Sequence, residues 1–500
     1  MNPEYIIVQA GGKGTRLKHL TRNKPKALVP VDNLPMLFHL FRKYPQSKYI
    51  IIGDYHYDVL ERYLAVFAPV QYQMVCATGQ KGTCAGLQQA VSLLPEESPF
   101  LLIWSDLILP KDFSLPGELG NYIGIAKDFP CRWKYENGAF AEEQSDISGV
   151  AGVFYFESRA ALAGIPLEGE LVKWLSTQTC QFREMPLRRV KEYGLLSEYN
   201  KMETARCRPF NRVYVNGDFF IKEPLDEQGK ELAHREAAWY QHIADQGFSN
   251  IPKIISYHPL KMEYIHGKPI YEYERLSREK KTGILRQIIS CLKAVQNFGE
   301  IPADPASYWE AYVGKTFRRL EKVRCLVPFA TGDEITINGR KCQNVFQRQK
   351  ELENALMKYI PTSFRFIHGD CTFSNTMLRE DGTPVLIDPR GYFGYTELYG
   401  DPAYDWAKLY YSIVGNYDQF NRKHFDLIIR EKDVTLQIAS NGWEILEGEF
   451  FELLEGMVEP QQIKLIHAII WLSLTTYAWE NYDSICGAFY NGLYYLEEAL

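Results

Sequence analysis

Gln9-Ala10-Gly11-Gly12-Lys13-Gly14-Thr15-Arg16-Leu17 follows directly on the apolar run Tyr5–Val8, and together they decide the fold of the first part of the chain. A buried strand that runs into a glycine-rich loop opens an α/β layer. Glycine lets the backbone approach phosphate oxygens, and the N–H groups of such a loop form an anion cradle. Arg16 adds a fixed charge with bidentate donors. Taken alone, a loop of this kind is also compatible with a plain turn. It lacks the GK[ST] ending of a Walker loop and the GxGxxG spacing of a dinucleotide fold. Shortly after it, Lys24-Pro25-Lys26-Ala27-Leu28-Val29-Pro30 places a second cation beside a rigid turn.

Working outward, Tyr49–Ile52, Gln71–Val75 and Phe100–Trp104 read as further buried strands. Leu34–Arg42, Val59–Phe67 and Ala85–Leu94 read as helices between them. The alternation predicts an α/β domain with a mostly parallel sheet. Gly149–Phe156 adds a strand and Leu171–Leu175 part of a helix. From about Arg208 the pattern changes. Val213–Val215 and Phe219–Lys222 flank Asn216-Gly217 and predict a hairpin with a tight turn. A helical stretch, Leu232–Ile243, follows, and after Ser277 the chain reads as mainly helical apart from the apolar runs Phe364–Ile367 and Val385–Ile387. The expected layout is an α/β domain over residues 1–205 and a bilobal domain, small β-rich lobe before larger helical lobe, over 206–500, with the boundary between Lys201 and Pro209.

The 500 residues exceed the roughly 100–200 of one domain, in keeping with two. A hydrophobic fraction of 46% with 24% charged residues excludes a disordered or collagen-like chain. Lys and Arg total 56 against 62 Asp and Glu, a net charge of −6, which argues against sequence-independent nucleic-acid binding. The start MNPEYIIVQAGG has neither the basic nor the long apolar region of an export signal, and the apolar stretch Leu465–Trp479 is interrupted by His467 and short of the ~20 residues of a membrane span. The ten cysteines form no CxxC pair, so reduced thiols, no structural zinc, no membrane insertion and a cytoplasmic location are expected.

The string from Gly11 through KPKALVPV resembles the signature of the nucleotidyltransferase (pyrophosphorylase) family, which includes sugar-1-phosphate nucleotidyltransferases and phosphocholine cytidylyltransferases. The resemblance covers roughly residues 3–203 and implies a Rossmann-like domain in which a phosphomonoester attacks the α-phosphorus of a nucleoside triphosphate and pyrophosphate leaves. It implies that Gly11, Gly12, Gly14 and Arg16 hold the triphosphate, Lys26 sits on the phosphate under attack, and Asp106, at the end of LLIWSD, binds Mg²⁺. Thr78-Gly79-Gln80-Lys81-Gly82-Thr83 resembles the loop around base and ribose, which gives Gly82 and Thr83 to nucleotide binding. The family's second metal carboxylate lies in a D-x-G-T-x-E-D-Y pattern. Here the stretch is Glu192-Tyr193-Gly194-Leu195-Leu196-Ser197-Glu198-Tyr199, with Glu for Asp and no Thr, so Glu192 stands as a metal ligand or as a surface glutamate before a helix.

In the second half, His368-Gly369-Asp370-Cys371-Thr372-Phe373-Ser374-Asn375 follows one apolar run and Asp388 the next. A D-x-x-x-x-N spacing and then a second Asp after a short hairpin fits phosphoryl transfer: one carboxylate orients the attacking hydroxyl, and the Asn and second Asp hold Mg²⁺. Lys222, on a strand, and Glu236, on the next helix, are spaced as the pair that positions ATP phosphates. Lys261-Met262-Glu263-Tyr264-Ile265-His266-Gly267 reads as the hinge between lobes, where backbone groups at Glu263 and Ile265 meet the base.

Residues 208–500 thus resemble the aminoglycoside phosphotransferase (APH) and choline kinase family, a branch of the protein-kinase-like fold. The resemblance implies Asp370 as catalytic base, Asn375 and Asp388 as metal ligands, Lys222 as phosphate anchor with Glu236 its partner, and Asp405 as a brace of the catalytic loop. A degenerate pseudokinase is the plain alternative. The aromatic residues from Trp471 to Tyr495 suit either a cage for a cationic acceptor or a core.

Fusion of the two domains implies consecutive steps. ATP phosphorylates a small alcohol, and a second nucleotide, CTP favoured, then gives the nucleotidyl product, for surface glycan or lipid head groups. Amino alcohols such as choline or ethanolamine and sugars or polyols remain competitors for the acceptor. Two active domains on unrelated substrates, or a nucleotide-binding regulator without turnover, are the other readings.

Overall fold

Ile6, Ile7 and Val8 are completely buried because the strand Tyr5–Gln9 has a parallel neighbour on each side, Lys48–Gly53 and Phe100–Trp104. A strand covered in this way reads as a continuous apolar run rather than an alternating one. In this computed structural model, which describes residues 2–200, 211–244, 246–273 and 275–500, the chain divides into two units. They are Met1–Ala205 with Glu480–Tyr482, and Arg206–Trp479 with Asp483–Leu500. The boundary expected between Lys201 and Pro209 lies outside the described residues.

The first unit is built on a nine-stranded mixed sheet. From Tyr5–Gln9 the chain lays Lys48–Gly53 and Tyr72–Cys76 outward on one side, then crosses back to add Phe100–Trp104 on the other. The strand order reverses between Tyr5–Gln9 and Phe100–Trp104, the place where an open α/β sheet binds its ligands beyond the carboxyl ends of the strands. Gly149–Phe156 runs antiparallel to Phe100–Trp104 and shifts register between Val150 and Phe154 in its pairing with Tyr122–Ala126.

Two expected helices are shorter than read. The helix starts at Met36 rather than Leu34, because Leu34–Pro35 pairs with Pro30–Val31 in a short ladder. Ala85–Leu94 contracts to Leu87–Ser92, with Gly86 at φ 72° as its cap and pressed so closely on Ile52 that a Cβ would lie 2.6 Å from it.

The second unit opens with a four-stranded antiparallel sheet, ordered Asn211–Asn216, Phe219–Pro224, Leu260–Glu263, Ile254–Tyr257. Asn216 pairs with Phe219, so the two-residue turn is Gly217-Asp218, one position later than an Asn-Gly turn, with Gly217 at φ 60°. The helix Glu227–Ala244 buries Trp239, Tyr240 and Ile243 and carries Glu236. The larger lobe contains the helices Arg278–Gln296, Pro402–Ile413, Pro460–Leu474 and Tyr482–Ala499.

The expectation of a mainly helical remainder needs correction. Arg340–Gln343, Glu334–Ile337, Asp433–Ile438 and Phe425–Ile429 form a further four-stranded sheet. Its middle pair is parallel, Ile337 against Val434, and joins segments far apart in the chain. Period-2 burial at Val434 and Leu436 drives it. All nine described cysteines are free, and among the described residues no helix is long and apolar enough to cross a membrane.

Candidate active sites

At the carboxyl ends of the central strands, Gly14 takes φ 60° and opens the turn Thr15–Thr21. A Cβ there would lie 3.0 Å from Thr21 Cγ2 and 3.2 Å from Lys26 Cβ, so glycine lets the Lys26 side chain come close. At Gly11 a Cβ would lie 2.8 Å from Asp54 Cβ, whereas Gly12 faces open space, as a backbone that approaches a phosphate requires. The Lys26 ammonium forms an ion pair with the Asp106 carboxylate. Leu107–Ile108 pairs antiparallel with Lys191–Glu192, and the Tyr193 N–H donates to the Asp106 carbonyl at 3.1 Å. That small ladder holds Asp106 and Glu192 side by side, with Arg16 Nη2 3.8 Å from Glu192 Oε1. Burial, and then the negative charge of Asp106, raise the Glu192 carboxyl above its usual range; Lys26 and Arg16 oppose them.

Arg16, Lys26, Asp106 and Glu192 are therefore brought together. Asp106 Oδ1 is buried with no hydrogen-bond partner. Two hard carboxylates, one with an orphaned oxygen, fit Mg²⁺, which binds through one or two carboxylates and completes its shell with phosphates and water. Among the described residues no group of three or more His, Cys, Asp or Glu is arranged for a metal, so an ion here would draw on these two carboxylates alone. Gly82, at φ 85°, packs on the Gly169 carbonyl, and Thr83 Oγ1 accepts from the Leu171 N–H at 2.7 Å.

Gln9 escaped the sequence reading. Its side-chain N–H donates to the Thr83 carbonyl, which leaves Oε1 buried and unpaired. Its ladder partner Trp104 packs on Gly152, and the indole N–H is likewise buried and unpaired. An amide ending an otherwise apolar strand was the signal.

In the second unit, Lys222 Nζ lies 2.7 Å from Glu236 Oε2 and also forms an ion pair with Asp388. Burial alone would lower the Lys222 ammonium, but Asp388 and Glu236 outweigh it and hold the charge. Burial pushes Glu236 up to about 7 against the pull of Lys222. Asp388 itself sits at φ 58°, an uncommon backbone for aspartate that concentrates at functional sites.

Asn375 Nδ2 donates to the Asp370 carbonyl at 2.8 Å and to its Oδ2 at 3.0 Å. The Asn375 carbonyl accepts the Ile387 N–H at 3.0 Å and ties the two halves of the site together. Asn375 and Asp388 are oxygen donors suited to Mg²⁺. Asp405 accepts the N–H groups of His368 at 3.0 Å and Gly369 at 2.7 Å, while its burial pushes the carboxyl up to about 6. His368 Nδ1 accepts from the Asp370 N–H at 3.2 Å, which leaves Nε2 to donate to the Ile387 carbonyl at 3.1 Å. Burial lowers His368 to about 4, so the ring is a neutral brace of the loop.

At the hinge, the Glu263 N–H donates to the Lys253 carbonyl at 2.9 Å and the side chain pairs with Arg379; Ile265 is buried. The sequence reading also missed Lys408, whose Nζ lies 2.8 Å from Asp370 Oδ1. Burial would raise the Asp370 carboxyl, but Lys408 and Arg390 override it and hold the group below its usual range. Lys408 lies one helical turn after Asp405, a spacing that puts both on one face. Of the C-terminal aromatics, Trp471 and Tyr490 are core: the Trp471 indole donates to His467 Nε2 at 3.0 Å, and the Tyr490 hydroxyl donates to the Pro328 carbonyl at 3.0 Å.

Residues 5–115 match the model of the Nucleotidyl transferase family, and residues 209–425 that of the Phosphotransferase enzyme family. The chain is similar to the Bifunctional protein GlmU of Alkalilimnicola ehrlichii, 29% identical over 133 residues, covering 25% of this chain and 27% of that protein. It is similar to the UTP–glucose-1-phosphate uridylyltransferase AglF of Haloferax volcanii, 31% identical over 106 residues, covering 20% and 43%. The chain thus spans less than half the length of these curated relatives. A solved CTP:phosphocholine cytidylyltransferase of Streptococcus pneumoniae (LicC) aligns with 40% of this chain and 97% of its own, at 18% identity and a TM-score of 0.34.

Proposed function

We propose that this chain, a nucleotidyl transferase domain followed by a phosphotransferase-family domain, makes a phosphomonoester and then activates it. In the second unit, X–OH and ATP give X–phosphate, ADP and a proton. In the first, X–phosphate and a nucleoside triphosphate give NDP–X and pyrophosphate. The observation that supports this reading is the completeness of both constellations in one chain: Lys26, Asp106 and Glu192 in one unit, and Lys222, Glu236, Asp370, Asn375 and Asp388 in the other. One site consumes the chemical class that the other produces.

In the phosphotransferase unit, Asp370 accepts the hydroxyl proton of the acceptor. Lys408 keeps that carboxylate ionised and close to the transferring phosphoryl group, where a cation offsets charge on the oxygens. Lys222 holds the ATP phosphates and Glu236 fixes its direction. Asn375 and Asp388 would hold Mg²⁺, which shields the phosphate oxygens; backbone groups of Glu263 and Ile265 meet the base. In the nucleotidyl transferase unit, Gly11, Gly12, Gly14 and Arg16 cradle the triphosphate, Lys26 lies on the attacked phosphate, and Gly82 and Thr83 line the base site. Asp106 and Glu192 would hold the second Mg²⁺. CTP is the favoured nucleotide, on the resemblance of this short domain to phosphocholine cytidylyltransferases. Products of this kind supply surface glycans or lipid head groups from the cytoplasm, where the triphosphates are made.

The test is a product assay by mass spectrometry, with protein, Mg²⁺, ATP, each of CTP, UTP, GTP and dTTP, and pooled alcohols. NDP–X that forms only with both nucleotides and X–OH supports the coupled reading. X–phosphate that accumulates with all four triphosphates present separates the two units' substrates. No product of either kind leaves a nucleotide binder without turnover.

A further inference from the structure

We infer that the alcohol phosphorylated at Asp370 is itself an anion, a small hydroxy compound that carries a phosphate or a carboxylate. The inference rests on the kinase reading of the second unit and names the class of its acceptor.

Beside Asp370 the chain gathers cations. Lys408 pairs with the Asp370 carboxylate. Arg390 follows Asp388 closely; its N–H donates to the His368 carbonyl at 2.8 Å, and its guanidinium donates to the hydroxyls of Tyr404 and Tyr392, each at 2.8 Å. Lys315 and Arg319 approach Arg390 from a different element. A π-helical turn, Glu310–Gly314, leads into the helix Lys315–Val323, on which these two side chains lie one turn apart on the same face. Such turns are frequent at functional sites. Arg319 is held by the Ser473 carbonyl at 2.6 Å and hydroxyl at 3.1 Å.

The Lys315 side chain has no hydrogen bond or ion pair among the described residues. Its ammonium is lowered well below the usual lysine range by burial, and then by the charges of Arg390, Arg319 and Lys408. Of the carboxylates that face this group, Asp370 is engaged by Lys408, and Glu310 by Arg318 and the Tyr395 hydroxyl. With Lys408 paired to Asp370, Lys315, Arg319 and Arg390 converge with no free carboxylate among the described residues, and a bound anion removes the cost of their repulsion.

Lys408 and Arg390 lie against the catalytic loop and serve the transferring phosphoryl group. Lys315 and Arg319 have no such duty, and they mark the acceptor's own charge. The aromatic faces argue the same way. Arg390 lies 4.4 Å from the Tyr392 ring centre and 5.9 Å from that of Tyr404, Lys408 5.4 Å from that of Tyr411, and Arg319 5.9 Å from that of Tyr477. These four rings already face the protein's own cations, Tyr477 of the C-terminal aromatics among them. Amino alcohols are therefore disfavoured, since a second positive charge would enter a field of the same sign. The step balances as in any alcohol phosphorylation. The acceptor oxygen bonds to the γ-phosphorus, its proton passes to Asp370, and ADP departs with the electrons of the broken P–O bond.

The experiment measures ADP release by the full chain with glycerol 3-phosphate and glucose 6-phosphate, with D-glycerate, and with glycerol, glucose, ethanolamine and choline. A member of the anionic sets should exceed every neutral and cationic alcohol by about tenfold in kcat/KM, and whether a phosphate or D-glycerate leads identifies the anionic group. Lys315→Met should raise KM for that acceptor about tenfold with KM for ATP unchanged, and Lys315→Arg should restore it. A neutral or cationic alcohol in first place overturns the inference. If no alcohol is phosphorylated, the kinase reading falls and calorimetry on the wild-type chain decides the pocket. Glycerol 3-phosphate or D-glycerate binding that Lys315→Met abolishes upholds it, while choline binding, or no anion binding, overturns it.

Discussion

Lys222 Nζ and Glu236 Oε2 meet at 2.7 Å, with the lysine side chain 14% and the glutamate 6% exposed. The pair joins a strand of the small lobe to its helix, and with Asp388 it reaches the loop of the larger lobe. Glu236→Gln keeps the shape and removes the charge. It should lower kcat/KM for ATP in alcohol phosphorylation by about 10–100-fold, the range of a charge-assisted hydrogen bond. Pyrophosphate release by the first unit should not change. Initial rates of both half-reactions on one preparation check this.

Asp106→Asn removes the negative charge that pairs with Lys26 and leaves the buried, unpartnered oxygen as a neutral amide carbonyl. Nucleotidyl transfer should fall by about 100-fold or more, with phosphorylation of the alcohol intact. Glu192→Gln, at the less enclosed carboxylate, should need more Mg²⁺ for half-maximal rate. Pyrophosphate release across a Mg²⁺ titration distinguishes the two.

Gly82→Ala combines a backbone at φ 85° with a Cβ directed into the Gly169 carbonyl. A loss of about 1–3 kcal/mol in the stability of the first unit is expected. Gly12→Ala, where a Cβ meets open space, should melt like the wild type while nucleotidyl transfer drops. Thermal melts paired with turnover separate a folding glycine from a phosphate-approach glycine.

Asp405 gives a pH signature. Burial raises its carboxyl in the folded state to about 6 from the ordinary 3.8. The folded protein therefore holds this proton where the unfolded chain has lost it. The contribution to stability is greatest below 3.8 and disappears as pH rises through about 6. Relative to Asp405→Asn, the wild type should gain melting temperature as pH falls from 7 to 5. A constant difference across that range would refute the assignment.

The candidate residues of both sites were named from short local strings. The glycine loop, Lys26, Asp106 and the run from His368 to Asn375 each occupy one turn or strand end, whereas the meeting of Lys26 with Asp106, 80 residues on, depends on the sheet. Glu192 was ambiguous because its place depends on a two-residue ladder with Leu107–Ile108, which no local pattern announces. Lys315, Arg319 and Lys408 sit within helices, where a cation reads as solvated surface; only tertiary packing brings Lys408 to Asp370 and sets Lys315 and Arg319 near Arg390. The sheet of Glu334–Ile337 and Asp433–Ile438 was hidden for the same reason. Its strands are short, and the pairing that stabilises them joins distant parts of the chain.

The π-helical turn Glu310–Gly314 takes in one residue more than an α-turn would. A one-residue deletion inside it can be absorbed by closing the turn to α geometry with the helix Lys315–Val323 kept in place, whereas a deletion within that helix rotates everything after it by about 100°. On the acceptor reading proposed above, this turn is where chain length can change without turning Arg319 away from its Ser473 partner.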